Sequence, residues 1–217
     1  MVDAMNFEHE QAAFPRAPWQ LRGAACVSLW RLLETALGQL APDPGLPILK
    51  IAGNAFIATI WAQYSGGTLR YDELAVAVLV RGKGLLAPAG SVTAIWVNDA
   101  MSAEGGRRLW HIPKELARFE TLASERAFTG TMMLGDRSVA ALSFEAGAAL
   151  PVRPRMSGFV IQPGIGGPLR TRCTVKGALC LGRAHWTIDP AGPLAALHGR
   201  QPLLSVGLRA MDAAFGV

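Results

Sequence analysis

The feature that most constrains the fold is a series of short apolar runs separated by glycine, proline or charged residues. The runs occupy residues 48–62, 73–81, 91–97, 128–134, 138–145, 156–162 and 171–188. Runs of this length, with turn signals between them, are typical of strands. The spacing therefore predicts a closed or sandwiched β architecture.

Three segments are interpreted as partly or wholly helical. Residues 27–40 predict a short strand that runs into an amphipathic helix, because their leucines recur at helical spacing. Residues 99–108 predict a second helix, and residues 204–215 predict a C-terminal one. Residues 1–13 are interpreted as a flexible leader, and residues 14–217 as one domain.

Composition excludes several classes of function. The 21 Lys+Arg and 16 Asp+Glu give a net charge of +5, which suits an acidic small molecule better than nucleic acid. No apolar run reaches the roughly 18 residues that cross a bilayer, so we expect no membrane partner. Three cysteines without a CxxC pair, and a start without a hydrophobic signal core, predict a cytoplasmic protein. The histidines form no paired motif, so we expect no metal.

The segment 105–119, GGRRLWHIPKELARF, carries the most informative lysine. Lys114 follows Pro113 and stands among Trp110, Ile112 and Leu116. Burial among apolar groups disfavours the ammonium form of a lysine, and the free amine that results can attack a carbonyl to form a Schiff base. The alternative is a surface lysine whose stem covers Trp110.

This segment resembles the lysine motif of the acetoacetate decarboxylase family, in which a Gly-Arg pair and a short spacer precede Pro-Lys-Lys-Leu. Gly106, Arg107, Pro113, Lys114 and Leu116 match that motif without a gap. The resemblance extends to residues 14–19, FPRAPW, to residues 71–73, YDE, and to residues 159–167, FVIQPGIGG. It covers roughly residues 14 to 215.

The resemblance implies a fold and a chemistry. The fold would be α+β and mostly β, a single-domain closed β-cone or barrel with a few flanking helices, assembled into a homo-oligomer. Lys114 would be the Schiff-base lysine, and Glu73 a catalytic carboxylate that shuttles or orients a proton. No cofactor is implied. The alternative for Glu73 is a surface carboxylate paired with Arg70.

The chain also departs from the family pattern. The family's second lysine is Glu115 here, although adjacent residues of an extended segment point apart. The family's second carboxylate falls near Ala58, and no acidic residue occurs between Asp43 and Asp72. The family's active-site arginine aligns with Gly23 or Ala24, which leaves Arg22 as the candidate, one residue out of register.

The remaining candidates for the substrate pocket are aromatic or basic. Trp61, Trp96 and Trp110 would line a pocket for a larger, less polar ligand, or else belong to the core. His111 would serve as an acid or base, or pack at the pocket edge.

Three functions follow from this pattern. The first is a Schiff-base lyase that acts on a keto acid or ketone by decarboxylation or by aldol or dehydration chemistry, and that departs from a faithful acetoacetate decarboxylase. The second is the same fold without imine chemistry, used as a biosynthetic cyclase or isomerase. The third is a binding protein for an apolar or acidic small molecule.

Overall fold

The computed structural model of the chain describes residues 14–82, 89–150 and 152–217. The leader expected at residues 1–13 lies outside the described residues. One α-helix occurs in the described part of the chain, α1 (Ala100–Trp110). The strands are β1 (Trp19–Leu33), β2 (Lys50–Ile51), β3 (Asn54–Gly67), β4 (Tyr71–Leu79), β5 (Ala89–Val97), β6 (Lys114–Leu116), β7 (Arg118–Ala123), β8 (Ala127–Leu134), β9 (Arg137–Ala149), β10 (Arg155–Gln162), β11 (Leu169–Ile188) and β12 (Leu204–Phe215).

Seven of these strands close into a ring. Their order is β10-β5-β4-β3-β1-β12-β11, and β11 pairs with β10 again. The neighbours are antiparallel except β10 and β5, which run parallel. Beyond the ring, β11 is long enough to pair with β9, and β8 and β7 continue that side of the sheet. The predicted mostly-β class with a closed arrangement of strands is confirmed.

Side-chain alternation gives the ring strands two different faces. On β3 and β4, Ile57, Trp61, Leu74 and Val76 face the main core, which β8 and β9 cover with Phe128 and Phe144 among others. The opposite face of the same strands looks into the ring, where Tyr71 and Ala75 pack with α1. A residue's place in the alternation therefore decides whether it joins the main core or the ring interior.

The predicted helix at residues 99–108 is confirmed. Asp99 caps α1 at its N-terminus, because its Oδ1 accepts a hydrogen bond from the Ser102 N–H at 2.6 Å. The helix ends at His111, which adopts a left-handed conformation.

The other two helix predictions are wrong. Within residues 27–40, β1 extends to Leu33 and only two short 3-10 turns follow. Residues 204–215 form β12, paired with β1 on one side and β11 on the other. Both pairings shift register around Ala210 of β12. Across this bulge Leu208 and Met211, three residues apart, pack in the same cluster, a spacing that is typical of a helix.

Trp61 packs across the main core against Gly130 of β8, and this contact makes a stability prediction. A Cβ at Gly130 would lie 2.4 Å from the Trp61 ring, whereas a Cβ at Gly166 meets nothing within 4 Å. Gly130→Ala should lower the free energy of unfolding by about 1–3 kcal/mol through overpacking, and Gly166→Ala should leave it nearly unchanged. Urea denaturation of the two variants measures the difference. Equal stabilities would contradict the packing described for Trp61.

Candidate active site

The backbone after α1 aims Lys114 into the ring. The Ile112 N–H donates to the Gly106 carbonyl at 3.1 Å, and the Lys114 N–H donates to the Ile112 carbonyl at 2.8 Å, which makes a tight turn around Pro113. Lys114 then begins β6, whose parallel pairing places it beside Ile95 of β5. The helix end, the proline and the pairing together fix the direction of the lysine.

Gly106 and Arg107 of the lysine motif have structural explanations. A Cβ at Gly106 would lie 2.6 Å from Lys114 Cδ, so only glycine leaves room for the lysine stem. Arg107 Nη1 donates to the Lys114 carbonyl at 2.8 Å. Gly105 is equally tight, because a Cβ there would lie 2.5 Å from the Trp19 ring. The motif therefore encodes the packing of one helix face against the lysine.

Lys114 is buried and hydrogen-bonded to three side chains. Only 4% of Lys114 and 8% of Glu73 are exposed. Lys114 Nζ donates to Glu73 Oε2 at 2.8 Å, to Ser102 Oγ at 3.0 Å and to the Tyr71 hydroxyl at 3.4 Å. It also lies 4.8 Å from the centre of the Tyr71 ring. The charged form of each partner would be costly alone, and the pair offsets that cost.

Two tyrosines enclose the carboxylate end of this pair. The rings of Tyr64 and Tyr71 lie 4.8 Å apart on the neighbouring strands β3 and β4. Burial raises the pKa of both hydroxyls well above the usual range, and the charge of Glu73 raises it further. Both groups therefore stay protonated at neutral pH and are available as hydrogen-bond donors.

The side chain of Glu115 does not point toward Lys114. The alternation of β6 turns it away from Lys114, and its Oε2 accepts a hydrogen bond from Trp96 Nε1 at 3.2 Å. The residue that replaces the family's second lysine therefore places no carboxylate against Lys114.

The structure does not bring Arg22, Trp61 or Trp96 to Lys114. Arg22 is exposed on the outer face of β1, because the inward positions around it are Leu21 and Ala25. Trp61 and Trp96 belong to the main core, on the faces of β3 and β5 that point away from the ring interior. These three expectations are corrected on the same ground, the two-residue period of a strand.

Trp110 and His111 lie at the margin of the site. Trp110 packs edge-on against Trp19, with ring centroids 4.8 Å apart, and Trp19 in turn lies 5.9 Å from Lys114 Nζ. His111 is exposed, and its Nδ1 lies 3.0 Å from the Pro163 carbonyl. Trp110 therefore packs against Trp19, which lies beside Lys114, and His111 contacts the loop after β10.

Four residues of the site were missed by the sequence reasoning. Ser102 and Tyr71 hydrogen-bond to the lysine, Tyr64 stands beside Glu73, and Trp19 lies near Lys114 Nζ. Ser102 had a signal, since it lies in the first turn of a predicted helix that leads to the lysine motif. Tyr64 had none, because its place depends on the register between β3 and β4.

The interior beyond Glu73 is apolar. Ala58 is on the inward face of β3 with Ile60 and Ala62, opposite Ala77 of β4. The position near which the resemblance predicts a second carboxylate is therefore apolar.

No helix in the described part of the chain is long and apolar enough to cross a membrane. Within residues 14–82, 89–150 and 152–217, no three His, Cys, Asp or Glu side chains come together in a way that would hold a metal ion.

Residues 5–174 match the family model described as acetoacetate decarboxylase (ADC), so this chain belongs to the acetoacetate decarboxylase family. A comparison of the sequence with curated proteins gives no significant match.

Solved structures share the fold at low sequence identity. An acetoacetate decarboxylase from Legionella pneumophila is 18% identical with a TM-score of 0.64, over 93% of this chain and 86% of that one. The enduracididine biosynthesis enzyme MppR, in complex with pyruvate, is 17% identical with a TM-score of 0.65, over 95% and 90%. An acetoacetate decarboxylase-like enzyme from Sphingomonas wittichii RW1 is 14% identical with a TM-score of 0.63, over 94% and 91%. The fold is thus shared by enzymes of differing chemistry.

The two tyrosines of the chain are both in this site, which makes the site visible to ultraviolet absorbance. We expect no tyrosinate signal from the folded protein at pH 10, where an exposed tyrosine is half ionised. Because the unfolded chain loses these protons first, stability should fall as pH rises above about 10. A pH titration at the tyrosinate wavelength, with the urea-unfolded protein as control, tests this. Titration of either tyrosine near pH 10 in the folded state would contradict the burial described.

The buried ion pair predicts non-additive stability effects. Lys114→Met should lower the free energy of unfolding by about 3–5 kcal/mol, because it strands a buried carboxylate. Lys114→Met combined with Glu73→Gln should cost clearly less than the sum of the single changes. Urea denaturation of the four proteins at pH 7 measures the coupling. Simple additivity would show that the two groups do not interact.

Proposed function

We propose that this chain is a lysine Schiff-base lyase that acts on a keto acid or a ketone. The observation that carries the proposal is the hydrogen bond of 2.8 Å between the buried Lys114 Nζ and Glu73 Oε2. A buried nucleophile within hydrogen-bond distance of a proton acceptor is the arrangement that covalent catalysis requires.

The first chemical stage forms the imine. The lysine must lose a proton before it attacks, and Glu73 is placed to accept it. Transfer along the hydrogen bond gives a neutral amine and a neutral carboxylic acid. Nζ then adds to the substrate carbonyl, and one of its two protons passes to the oxygen to give the carbinolamine. Glu73 returns its own proton to that hydroxyl group, which leaves as water. The product is a protonated imine.

The second stage uses the imine as an electron sink. If the substrate carries a β-carboxylate, the electrons of the breaking C–C bond move to the imine nitrogen, carbon dioxide leaves and an enamine remains. If it carries only an α-proton, Glu73 removes that proton and the same enamine forms. Protonation of the enamine carbon and hydrolysis free Lys114. Ser102 and Tyr71 hold Nζ in place before it attacks.

The ring interior favours a substrate that is larger and less polar than acetoacetate. The wall beyond Glu73 carries Ala58, Ile60, Ala62 and Ala77, and no charged side chain at these positions. An apolar or aromatic tail would gain free energy by leaving water there, at about 25 cal/mol per Å² of apolar surface.

The comparisons support a small keto acid as the reacting part. MppR has been solved in complex with pyruvate, and in complex with the condensation product of pyruvate and imidazole 4-carboxaldehyde. The second complex holds a keto acid extended by a ring, which is the kind of ligand the apolar wall would suit.

One observation favours an alternative without imine chemistry. Lys114 Nζ donates to three acceptors, which satisfies all the protons of an ammonium. A lysine held in that form would bind a carboxylate or stabilise a developing negative charge in a cyclase or isomerase. The two functions differ in whether a covalent adduct forms.

Reductive trapping separates them. The protein is incubated with pyruvate, acetoacetate, or an aromatic or long-chain 2-keto acid, together with cyanoborohydride, and its intact mass is measured. We expect one ligand-sized adduct per chain, greatest for the aromatic or long-chain acid and absent in Lys114→Ala. Glu73→Gln should slow labelling by about 10²–10⁴-fold because the proton acceptor is lost.

An exposed lysine provides the matched control. Lys50 is partly exposed and pairs with Glu34, so Lys50→Ala should label as the wild type does. An adduct that persists in Lys114→Ala, or the absence of any adduct in folded wild-type protein, would overturn the Schiff-base proposal and favour the alternative.

A further inference from the structure

A cluster of cationic side chains occupies the outer face of the ring, on the side of the sheet away from Lys114. We call it the basic groove. It contains five cationic side chains and one carboxylate: Arg22, Arg153, Arg155, Arg172, Lys176 and Asp212. All six are exposed. The proposed lyase chemistry uses none of them.

Strand register explains why these residues meet. Arg155 of β10 is paired with Lys176 of β11, Lys176 with Asp212 of β12, and Asp212 with Arg22 of β1. The four side chains therefore form one row across four neighbouring strands. At about 4.8 Å between strands, the row is about 14 Å long.

This row of four charged side chains is not explained by a contribution to the stability of the sheet. Arg155 and Lys176 are direct cross-strand partners of the same charge, a pairing that destabilises a sheet. Asp212 stands between two cations, yet none of the ion pairs formed by the described residues involves it. Arg155 and Lys176 are thus kept close at a cost, and neither forms an ion pair among those of the described residues, which favours a site for an external anion.

The backbone makes this face concave. Ala210 in the bulge of β12 has a φ of 44°, a left-handed conformation that costs energy for a residue other than glycine. Its carbonyl accepts a hydrogen bond from Arg153 Nη2 at 3.1 Å, which holds that arginine at the rim. Two adjoining cavities result, of about 820 and 640 Å³, and they share Arg153, Lys176 and Asp212. These volumes are typical of small-molecule sites.

We propose that the basic groove binds a small organic molecule that carries two or more phosphate groups. Arginine forks match phosphate oxygens in pairs, and four of the five cations are arginines. Neutral donors for the remainder of such a ligand are at hand in Gln20, Gln63 and Thr174, which line the same cavities. The length of the row suits a diphosphate with an attached polar group better than a single phosphate.

Titration calorimetry with ATP and with inorganic pyrophosphate, at low and at physiological salt, tests this proposal. We expect saturable binding of one ATP per chain that weakens as salt rises. The double variant Arg155→Gln/Lys176→Gln should lower the affinity at least tenfold. Because it removes the like-charge pair, the same variant should not melt at a lower temperature than the wild type.

A matched double variant removes two arginines outside the groove. Arg31 and Arg183 are exposed on β1 and β11, the same strands that carry Arg22 and Lys176. Arg31→Gln/Arg183→Gln should bind ATP as the wild type does. An equal loss of ATP affinity in both double variants, or binding that does not saturate, would overturn the proposal. Either result would mean that ATP is attracted by the net charge of the protein and not by the groove. Tighter binding of an acidic peptide than of ATP would also overturn it and would assign the groove to a protein partner.

Discussion

The arrangement of the ring interior depends on one buried ion pair, between Lys114 and Glu73. Two opposite charges removed from water are tolerable only if they stay in contact and keep further hydrogen bonds. Three elements meet that condition together: β4 supplies Glu73 and Tyr71, α1 supplies Ser102, and β6 supplies the lysine. The tight packing at Gly106 and the left-handed end of α1 follow from the need to bring these three elements within hydrogen-bond distance.

The parts of the site that could be predicted from sequence were those encoded locally. Asp99 lies within a few residues of the helix that it caps, so the helix could be predicted locally. The burial of Lys114 and the place of Glu73 came with the resemblance, since nothing in the local pattern says that β4 will face β6. Tyr64 depends on register between strands, and the common face of Leu208 and Met211 depends on a bulge that local periodicity cannot reveal.

The two-residue period of the strands separates two kinds of chemistry on one sheet. Lys114 faces inward and Glu115 outward, and the same alternation sends Leu21 into the ring and Arg22 onto the outer face. A shift of one residue would exchange them and would place an unpaired cation or carboxylate in the interior. Arg22 therefore lies one or two positions in sequence from the place expected for the family's arginine, and its side chain is on the opposite face of the sheet.

The departures from the family pattern leave balanced charges on the described residues of the site. Relative to the pattern expected from the resemblance, the described residues around Lys114 include no second lysine, no second carboxylate and no arginine: Glu115 points away, Ala58 is apolar and Arg22 lies on the outer face. Among the described residues of the site, Lys114 and Glu73 remain as one cation and one carboxylate, so their charges balance. The loss of either member of this pair would strand a charge in an apolar enclosure, at a cost of several kcal/mol. A pair without net charge beside an apolar wall is consistent with the proposed imine chemistry at Lys114 on a less polar ligand.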